Sequence, residues 1–247
     1  MTAARRRSLE TLHAAIIECR RCDRLVAWRE QVAREKRRAF RDETYWGRPL
    51  PGFGDPEASI VIVGLAPAAH GGNRTGRMFT GDRSADFLYA GLYRAGLASQ
   101  PTSIHRGDGL SLKGVFITAP CRCAPPENKP TPAELSACRP WMDEELSFLK
   151  NASVYLALGK TGYDAVVTLS RRGERTPVPP FGHGVVARIA DPRGAAAPRG
   201  SEAWLVGSYH VSQQNTQTGR LTDAMFDEVV GRAMELAGLG ASSTGRR

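Results

Sequence analysis

SIVIVGLAPAAHGGNRTGRMFTGDRSADFLY, residues 59–89, is the stretch that decides the fold of this chain. It opens on four β-branched apolar residues, 60–63, a run that is typical of a strand buried on both faces of a parallel sheet. Gly64 ends the run, and Pro67 prevents a helix from starting at once. A long glycine-rich polar stretch follows before apolar residues recur at helical spacing from Phe87. This order of strand, long polar loop and helix predicts a ligand site at the carboxyl end of a sheet strand.

The rest of the chain continues the alternation of strands and helices. Further strands are predicted at residues 115–118, 154–158, 185–189 and 203–206. The pattern predicts an α/β fold with three αβα layers around a central, mostly parallel sheet of four or five strands. With 247 residues, of which 41% are hydrophobic, the chain can fill one core. We therefore expect one domain over residues 1–247, with disordered tails at residues 1–8 and 240–247.

Charge and hydropathy narrow the class of protein. The chain has 34 Lys and Arg against 25 Asp and Glu, a formal net charge of +9. Such an excess suits an anionic partner such as nucleic acid, although a basic solvated surface explains the charge equally well. The segment after the arginines at residues 5–7 is amphipathic and charged, which does not match an export signal. No apolar run is long enough for a transmembrane helix, so we expect a cytoplasmic protein without a membrane partner.

Five cysteines raise the question of a metal site. In the cytoplasm, thiols are metal ligands or free thiols more often than disulfides. Cys19, Cys22, Cys123 and Cys138 form the pattern C-x2-C…C-x14-C, and both zinc and an iron–sulfur cluster accept four thiolates. Cys121 would share a face with Cys123 in an extended segment, so spacing alone does not exclude it. Unconnected buried thiols are the remaining alternative.

Three polar segments follow predicted strands, at residues 65–83, 119–130 and 207–216. Because carboxyl ends of parallel strands meet at one edge of a sheet, these segments predict an active site there. The sequence contains neither GxGxxG nor GxxxxGK[ST], so nothing indicates a nucleotide-phosphate site.

The motifs in these segments resemble those of a known family. GLAPAAHG at residues 64–71, NRTGR at 73–77 and FTGDRS at 79–84 resemble the first motif of family 5 (B-type) uracil-DNA glycosylases. GSYHVSQQNT at residues 207–216 resembles the second motif of that superfamily, with Val211 where the family usually has proline. The resemblance implies a uracil-DNA glycosylase-like fold. It also implies a monofunctional, nucleoid-associated enzyme of prokaryotic type that acts as a monomer in base excision repair.

Such an enzyme flips a deaminated base out of double-stranded DNA, hydrolyses its N-glycosidic bond and leaves an abasic site. Narrowly specific relatives carry polar groups where this chain has Leu65, Ala66 and Ala119. We therefore expect activity on hypoxanthine and other damaged bases besides uracil.

The resemblance also implies roles for individual residues. His210 would donate to the base carbonyl, and Asp82 or Asn128 would handle the attacking water. Asp82 precedes a helix, however, and a helix cap explains it equally well. The positions implied to bind substrate are Gly64, Ala66, Phe79, Ala119, Ser212 and Gln213. The positions implied to bind a [4Fe–4S] cluster are Cys19, Cys22, Cys123 and Cys138.

Two other classes of protein remain as alternatives at this point. One is an iron–sulfur redox or electron-transfer protein, and the other is a non-catalytic nucleic-acid-binding module with a structural metal. The basic charge and the convergent amide-rich loops favour the glycosylase over electron transfer.

Overall fold

The structure is a computed structural model of the chain and describes residues 8–171 and 177–240. The predicted tails, apart from Ser8 and Gly240, lie outside the described residues. Ser8 is the N-cap of the first helix, where its Oγ accepts a hydrogen bond from the Thr11 amide.

The described residues form helices and strands in alternation over most of the chain. The helices are α1 (Leu9–Ile17), α2 (Asp23–Glu35), α3 (Gly72–Thr75), α4 (Arg83–Arg94), α5 (Pro132–Phe148), α6 (Lys160–Ser170), α7 (Gln213–Gln217) and α8 (Asp223–Leu236). The strands are β1 (Phe53–Gly54), β2 (Ile60–Val63), β3 (Val115–Thr118), β4 (Val154–Leu158), β5 (Val186–Ala190) and β6 (Glu202–Ser208). Short 3-10 turns occur at Arg38–Phe40, Pro126–Asn128 and Gly194–Ala196.

The six strands form one sheet in the order β1-β3-β2-β4-β6-β5. The four central strands run parallel, whereas β1 and β5 pair antiparallel at the two edges. The predicted α/β fold with a mostly parallel sheet is confirmed, with six strands in place of the expected four or five. Because β2, β3, β4 and β6 are parallel, their carboxyl ends share one edge of the sheet.

Alternate strand residues pack against helices on opposite faces of the sheet. Ile60 and Ile62 belong to a core that contains the buried residues of α4 and α8. Val61 and Val63 belong to a second core with Met142 and Leu146 of α5 and the buried apolar residues of α6. The three αβα layers thus follow from a strand that is apolar at every position.

The additional strand, β1, lies within residues 46–56, which the density of glycine and proline predicts to be a loop. Gly54 has a φ of 140°, and a Cβ there would lie 2.3 Å from the carbonyl oxygen of Val115. Glycine is therefore what lets the chain approach β3 closely enough to pair. The same residue type that signals a loop makes this edge strand possible.

The sequence at residues 131–134 predicts a helix start with Thr131 as the N-cap and Glu134 reaching back, and the structure confirms it. Thr131 Oγ1 accepts a hydrogen bond from the Glu134 amide, and the Glu134 carboxylate accepts one from the Thr131 amide. Pro140 predicts a kink or a restart of this helix; the helix does not restart, because α5 continues through Pro140 to Phe148. Arg24 of α2 donates two 2.8 Å hydrogen bonds to the Glu134 carboxylate, which fixes α2 against the start of α5.

A buried ion pair joins α5 to the segment after β3. Arg122 Nη2 donates to Glu145 Oε2 at 2.7 Å, and the two side chains are 1% and 0% exposed. The same carboxylate accepts hydrogen bonds from the Gly52 amide at 2.8 Å and the Thr118 hydroxyl at 2.6 Å. His13 Nε2 of α1 lies 3.1 Å from its other side, at Oε1. One carboxylate therefore connects four parts of the chain.

Burial alone would raise the pKa of Glu145, but the Arg122 charge and the hydrogen bonds from His13, Arg122 and Thr118 outweigh it and lower the pKa to about 2. Because this value lies below the ordinary 4.5, the group stabilises the folded chain fully above pH 4.5. That contribution is lost as the pH falls towards 2.

No helix within residues 8–171 and 177–240 has the length and hydropathy of a membrane span.

Replacement of Glu145 by Gln should lower the free energy of unfolding by about 3–5 kcal/mol at neutral pH, because it leaves Arg122 buried without a counter-charge. Urea unfolding measures the difference, which should shrink as the pH is lowered through about 4. A loss below about 1 kcal/mol, or one that does not change with pH, would contradict this role for the pair.

Candidate active site

A pocket of about 370 Å³ opens at the carboxyl edge of the sheet, a volume within the usual range for small-ligand sites. It is lined by residues from all three segments that the sequence places at strand ends. The lining residues are Leu65, Ala66, Pro67, Ala68, Met78, Phe79, Asp82, Ser84, Ala119, Glu127, Asn128, His210, Ser212 and Gln214.

Phe79 lies in the pocket with an uncommon backbone conformation, a φ of 47°. Such a left-handed residue persists only where its surroundings hold it. Its ring reaches Gly64, where a Cβ would come within 2.8 Å of Cζ. Gly64 does not line the pocket, and its contribution is the space that it leaves for this ring.

The loop that carries Phe79 is held by a second buried ion pair. Arg77 donates hydrogen bonds of 2.8 Å to both carboxylate oxygens of Asp108 and one of 2.8 Å to the Ser103 hydroxyl. Arg77 Nε also donates to the Thr80 hydroxyl at 2.9 Å. These bonds fix the residues on both sides of Phe79, so the ring is held in place before any ligand binds.

His210 follows β6, and its ring lies with a centroid 6.2 Å from that of Phe79. Its carbonyl accepts a 2.8 Å hydrogen bond from the Asn215 side chain, which fixes the turn after the strand. Gly159 leaves room behind it, since a Cβ there would lie 3.1 Å from the His210 Cβ. Burial lowers the pKa of His210 to about 4. At neutral pH the imidazole is uncharged and can donate one N–H to the pocket.

Asp82 caps helix α4 and also lines the pocket. Its Oδ1 accepts a 3.0 Å hydrogen bond from the Ala85 amide as the N-cap of α4. Its Oδ2 lies against Gly71, where a Cβ would come within 1.8 Å. Burial raises the pKa of Asp82, and the amides of Ala85 and Ser84 oppose that shift. The carboxyl thus lines the pocket while one of its oxygens caps the helix.

The segment after β3 contributes Ala119 and Asn128 to the pocket. Asn128 and the preceding Glu127 have φ values of 56° and 52°, two consecutive left-handed residues that are not glycine. Hydrogen bonds from the amides of Asn128 and Lys129 to Pro125 and Pro126 hold this turn. Backbone strain of this kind is concentrated at functional sites.

Helix α7 changes which glutamine reaches the pocket. The resemblance implies Gln213 as a substrate-binding residue, but residues 213–217 form a short helix with Ser212 at its N-cap position. The helix turns each side chain by about 100° from the one before it, so Gln214 lines the pocket with Ser212 and Gln213 does not. Ser84, in the first turn of α4, also lines the pocket without a signal in the sequence.

The four cysteines singled out by spacing line one small cavity away from this pocket. Cys19, Cys22, Cys123 and Cys138 all face it, whereas Cys121 does not. Cys121 is buried, and its thiol donates a hydrogen bond to the Cys123 carbonyl at 3.3 Å. Burial raises the pKa of Cys123 to about 12 and that of Cys138 to about 11, so these thiols ionise only when a positive charge joins them.

Three N–H groups point at the sulfur atoms of this cavity. The Arg29 guanidinium lies 2.9 Å from Cys123 Sγ, and the Arg122 amide and the Trp141 indole lie 3.3 Å from the sulfurs of Cys138 and Cys19. N–H donors of this kind stabilise thiolate sulfur. In the described part of the chain, no three His, Cys, Asp or Glu side chains are arranged to hold a single metal ion.

Replacement of Gly64 by Ala should displace the Phe79 ring and destabilise the chain by about 1–3 kcal/mol, because the added methyl overlaps the ring. A crystal structure and urea unfolding of the variant measure both effects. Gly231→Ala is the matched control, since a Cβ there meets nothing within 4 Å. An unmoved ring together with unchanged stability would remove Gly64 from the construction of the pocket.

The sequence is similar to that of known proteins over most of its length. A sequence profile of the uracil DNA glycosylase superfamily matches residues 51–233. The chain is 54% identical to a Type-5 uracil-DNA glycosylase of Thermus thermophilus, over 93% of this chain and 99% of the relative. It is 50% identical to one of Mycobacterium tuberculosis, over 94% and 83%. It is 43% identical to one of Pyrobaculum aerophilum, over 90% and 91%. The chain therefore belongs to the uracil-DNA glycosylase superfamily and, within it, to the type-5 uracil-DNA glycosylases.

Proposed function

We propose that this chain, acting as a monomer, removes uracil and other deaminated bases from double-stranded DNA by hydrolysis of the N-glycosidic bond. Membership of the type-5 uracil-DNA glycosylases makes it a DNA-repair hydrolase. The observation that carries the finer proposal is the pocket at the carboxyl edge of the sheet. It gathers Phe79, Asp82, Asn128 and His210 around a space suited to one base.

Phe79 and His210 are the residues proposed to bind the flipped base. An extruded base gains by stacking on an aromatic face, and the Phe79 ring is already held in the pocket. Negative charge develops on the base as the glycosidic bond breaks. A neutral His210 that donates an N–H to a base carbonyl would stabilise that charge. A donor of this kind lowers the activation barrier by about 3–4 kcal/mol.

Asp82 and Asn128 are the residues proposed to handle the attacking water. Oxygen acceptors are needed there to orient the water and to stabilise positive charge on the sugar. The walls nearest β2 and β3 are Leu65, Ala66 and Ala119, which supply no carboxylate. Asp82 has an oxygen besides the one that caps α4, and this makes it the first candidate.

The comparisons support neither an electron-transfer protein nor a non-catalytic binding module. The test is incubation of the pure protein with a duplex oligonucleotide that contains one uracil, followed by alkaline cleavage of abasic sites. Strand breaks that require alkali are expected. Intact strands after alkali would contradict the proposal, and breaks without alkali would contradict a monofunctional enzyme.

We also propose a [4Fe–4S] cluster on Cys19, Cys22, Cys123 and Cys138. The four thiols surround one cavity, with N–H donors directed at the sulfurs of Cys19, Cys123 and Cys138. Four thiolates would also suit a tetrahedral zinc ion. The resemblance of the cysteine pattern to the cluster ligands of the family, together with the N–H donors at the sulfurs, favours the cluster. When bound, it would tie α1, the segment after β3 and α5 together.

Replacement of Asp82 by Asn should slow single-turnover base release at least about 100-fold while the melting temperature stays nearly unchanged. Asparagine caps a helix as well as aspartate does, so only the charge is lost. DNA affinity of the variant is the control for binding. A rate close to that of the wild type would assign the water to Asn128.

The lesion range should be broad. With apolar walls at Leu65, Ala66 and Ala119, the excision rates of uracil and hypoxanthine from matched duplexes should differ by less than about 200-fold. Ala119→Asn introduces an amide that can hydrogen-bond to the edge of the base, and it should increase the ratio of the uracil rate to the hypoxanthine rate. Discrimination above about 10⁴-fold in the wild type would show that the pocket reads the base edge by hydrogen bonds.

Replacement of Cys19 or Cys138 by Ser should remove iron and lower the melting temperature, because each would hold one corner of the cluster. Cys121→Ser is the matched control and should keep its iron, since Cys121 lies outside the cavity. Iron and acid-labile sulfide in the pure protein measure the cluster. One zinc ion per chain without iron would contradict the proposal.

A further inference from the structure

Arg29 of α2 is a buried cation that forms no ion pair with the acidic residues of the described chain. Its side chain is 1% exposed, and no carboxylate in the described part of the chain lies within 4.0 Å of its guanidinium. The adjacent Glu30 pairs with Arg20 instead. Arg29 Nη1 donates to Cys123 Sγ at 2.9 Å and Nη2 to the Cys19 carbonyl at 3.2 Å, while Nε has no partner.

The other buried arginines show how unusual this is. Among the described residues, Arg122 is paired with Glu145, Arg77 with Asp108 and Arg74 with Glu43. A guanidinium removed from water is costly unless an anion balances it. The groups that the guanidinium does reach belong to two of the proposed cluster ligands, the Cys123 sulfur and the Cys19 carbonyl. Thiolates that ligate a cluster in this cavity would supply the balancing negative charge.

We propose that Arg29 is the counter-charge of the iron–sulfur cluster and sets its reduction potential. This inference rests on the cluster proposed above. A [4Fe–4S] cluster with four thiolates carries net negative charge, and one-electron reduction makes it more negative. A fixed positive charge whose N–H group donates a hydrogen bond to a ligand sulfur favours the reduced form of the cluster and raises its reduction potential.

Arg29 also connects the cluster to the active-site loop. Its backbone carbonyl accepts a 3.2 Å hydrogen bond from the side chain of Asn73, which is fully buried in the loop between β2 and α4. The Asn73 carbonyl in turn accepts from the Gly47 amide at 3.0 Å. The backbone of α2 at Arg29 therefore lies between the cysteine cavity and the segment that leads to Phe79 and Asp82.

The first experiment measures the reduction potential of the cluster by protein-film voltammetry. Arg29→Met should shift the one-electron equilibrium at least tenfold towards the oxidised form, which corresponds to about 59 mV lower potential. Arg29→Lys keeps the charge and should recover much of the shift. Arg34→Met removes an exposed charge from the same helix and should change the equilibrium less than twofold.

The second experiment compares melting temperatures with the cluster loaded and after its removal by chelator. Loaded Arg29→Met should melt below loaded wild type, whereas stripped Arg29→Met should melt above stripped wild type, because the apolar side chain no longer leaves a buried charge unpaired. Arg122→Met is the contrasting variant. It should melt below the wild type in both states, because it leaves the buried Glu145 without its counter-charge. If the stripped chains do not fold, the potentials of the loaded proteins decide.

The inference would be overturned if the one-electron equilibrium of Arg29→Met lay within twofold of that of the wild type. It would also be overturned if Arg29→Met lost the same stability in the loaded and the stripped state. Either result would leave the cluster in place. Absence of iron and sulfide from the wild type would overturn the proposed cofactor and this inference together. Uracil release by the wild type is measured separately and does not depend on either result.

Discussion

The buried carboxylate of Glu145 is the interaction on which the arrangement of both sites depends. It holds Arg122 in the segment between the base pocket and the cysteine cavity, and it also contacts β3, the β1 segment and α1. Arg122 lies between Ala119, which lines the pocket, and Cys123, which lines the cavity. A charge pair sealed from water tolerates little change in geometry. It therefore fixes the spacing between the two sites.

The pocket at the carboxyl edge of the sheet is shaped largely by glycines, which leave space for larger side chains, and by strained backbone conformations. Gly64 and Gly159 leave space for Phe79 and His210, and three pocket residues adopt left-handed backbones that are costly outside glycine. Asp82 is placed by its cap on α4, so a bond that stabilises the fold also orients a carboxyl towards the pocket. The hydrogen bonds that stabilise the fold also hold the residues of the pocket, so the pocket is formed without a ligand.

Much of this could be predicted from the sequence because strong local patterns coincide with the tertiary structure. The apolar runs at residues 60–63, 115–118 and 154–158 became strands with those bounds, and the Thr131 cap formed as expected. Prediction failed where a tertiary contact decides the outcome. The pairing of Gly54 with β3 depends on a close approach that no pattern shows. The choice of Gln214 over Gln213 depends on a short helix. The basic residues between 25 and 45 are typical of a solvated helix face, and nothing in that pattern indicates that Arg29 is buried.

The central proposal is that a flipped base enters the pocket between Phe79 and His210. A crystal structure of Asp82→Asn bound to a duplex with one uracil tests this most directly. We expect the uracil ring to be stacked on Phe79, with a carbonyl about 3 Å from a His210 nitrogen. A uracil that stays in the duplex, or that lies outside the pocket in the bound complex, would contradict it.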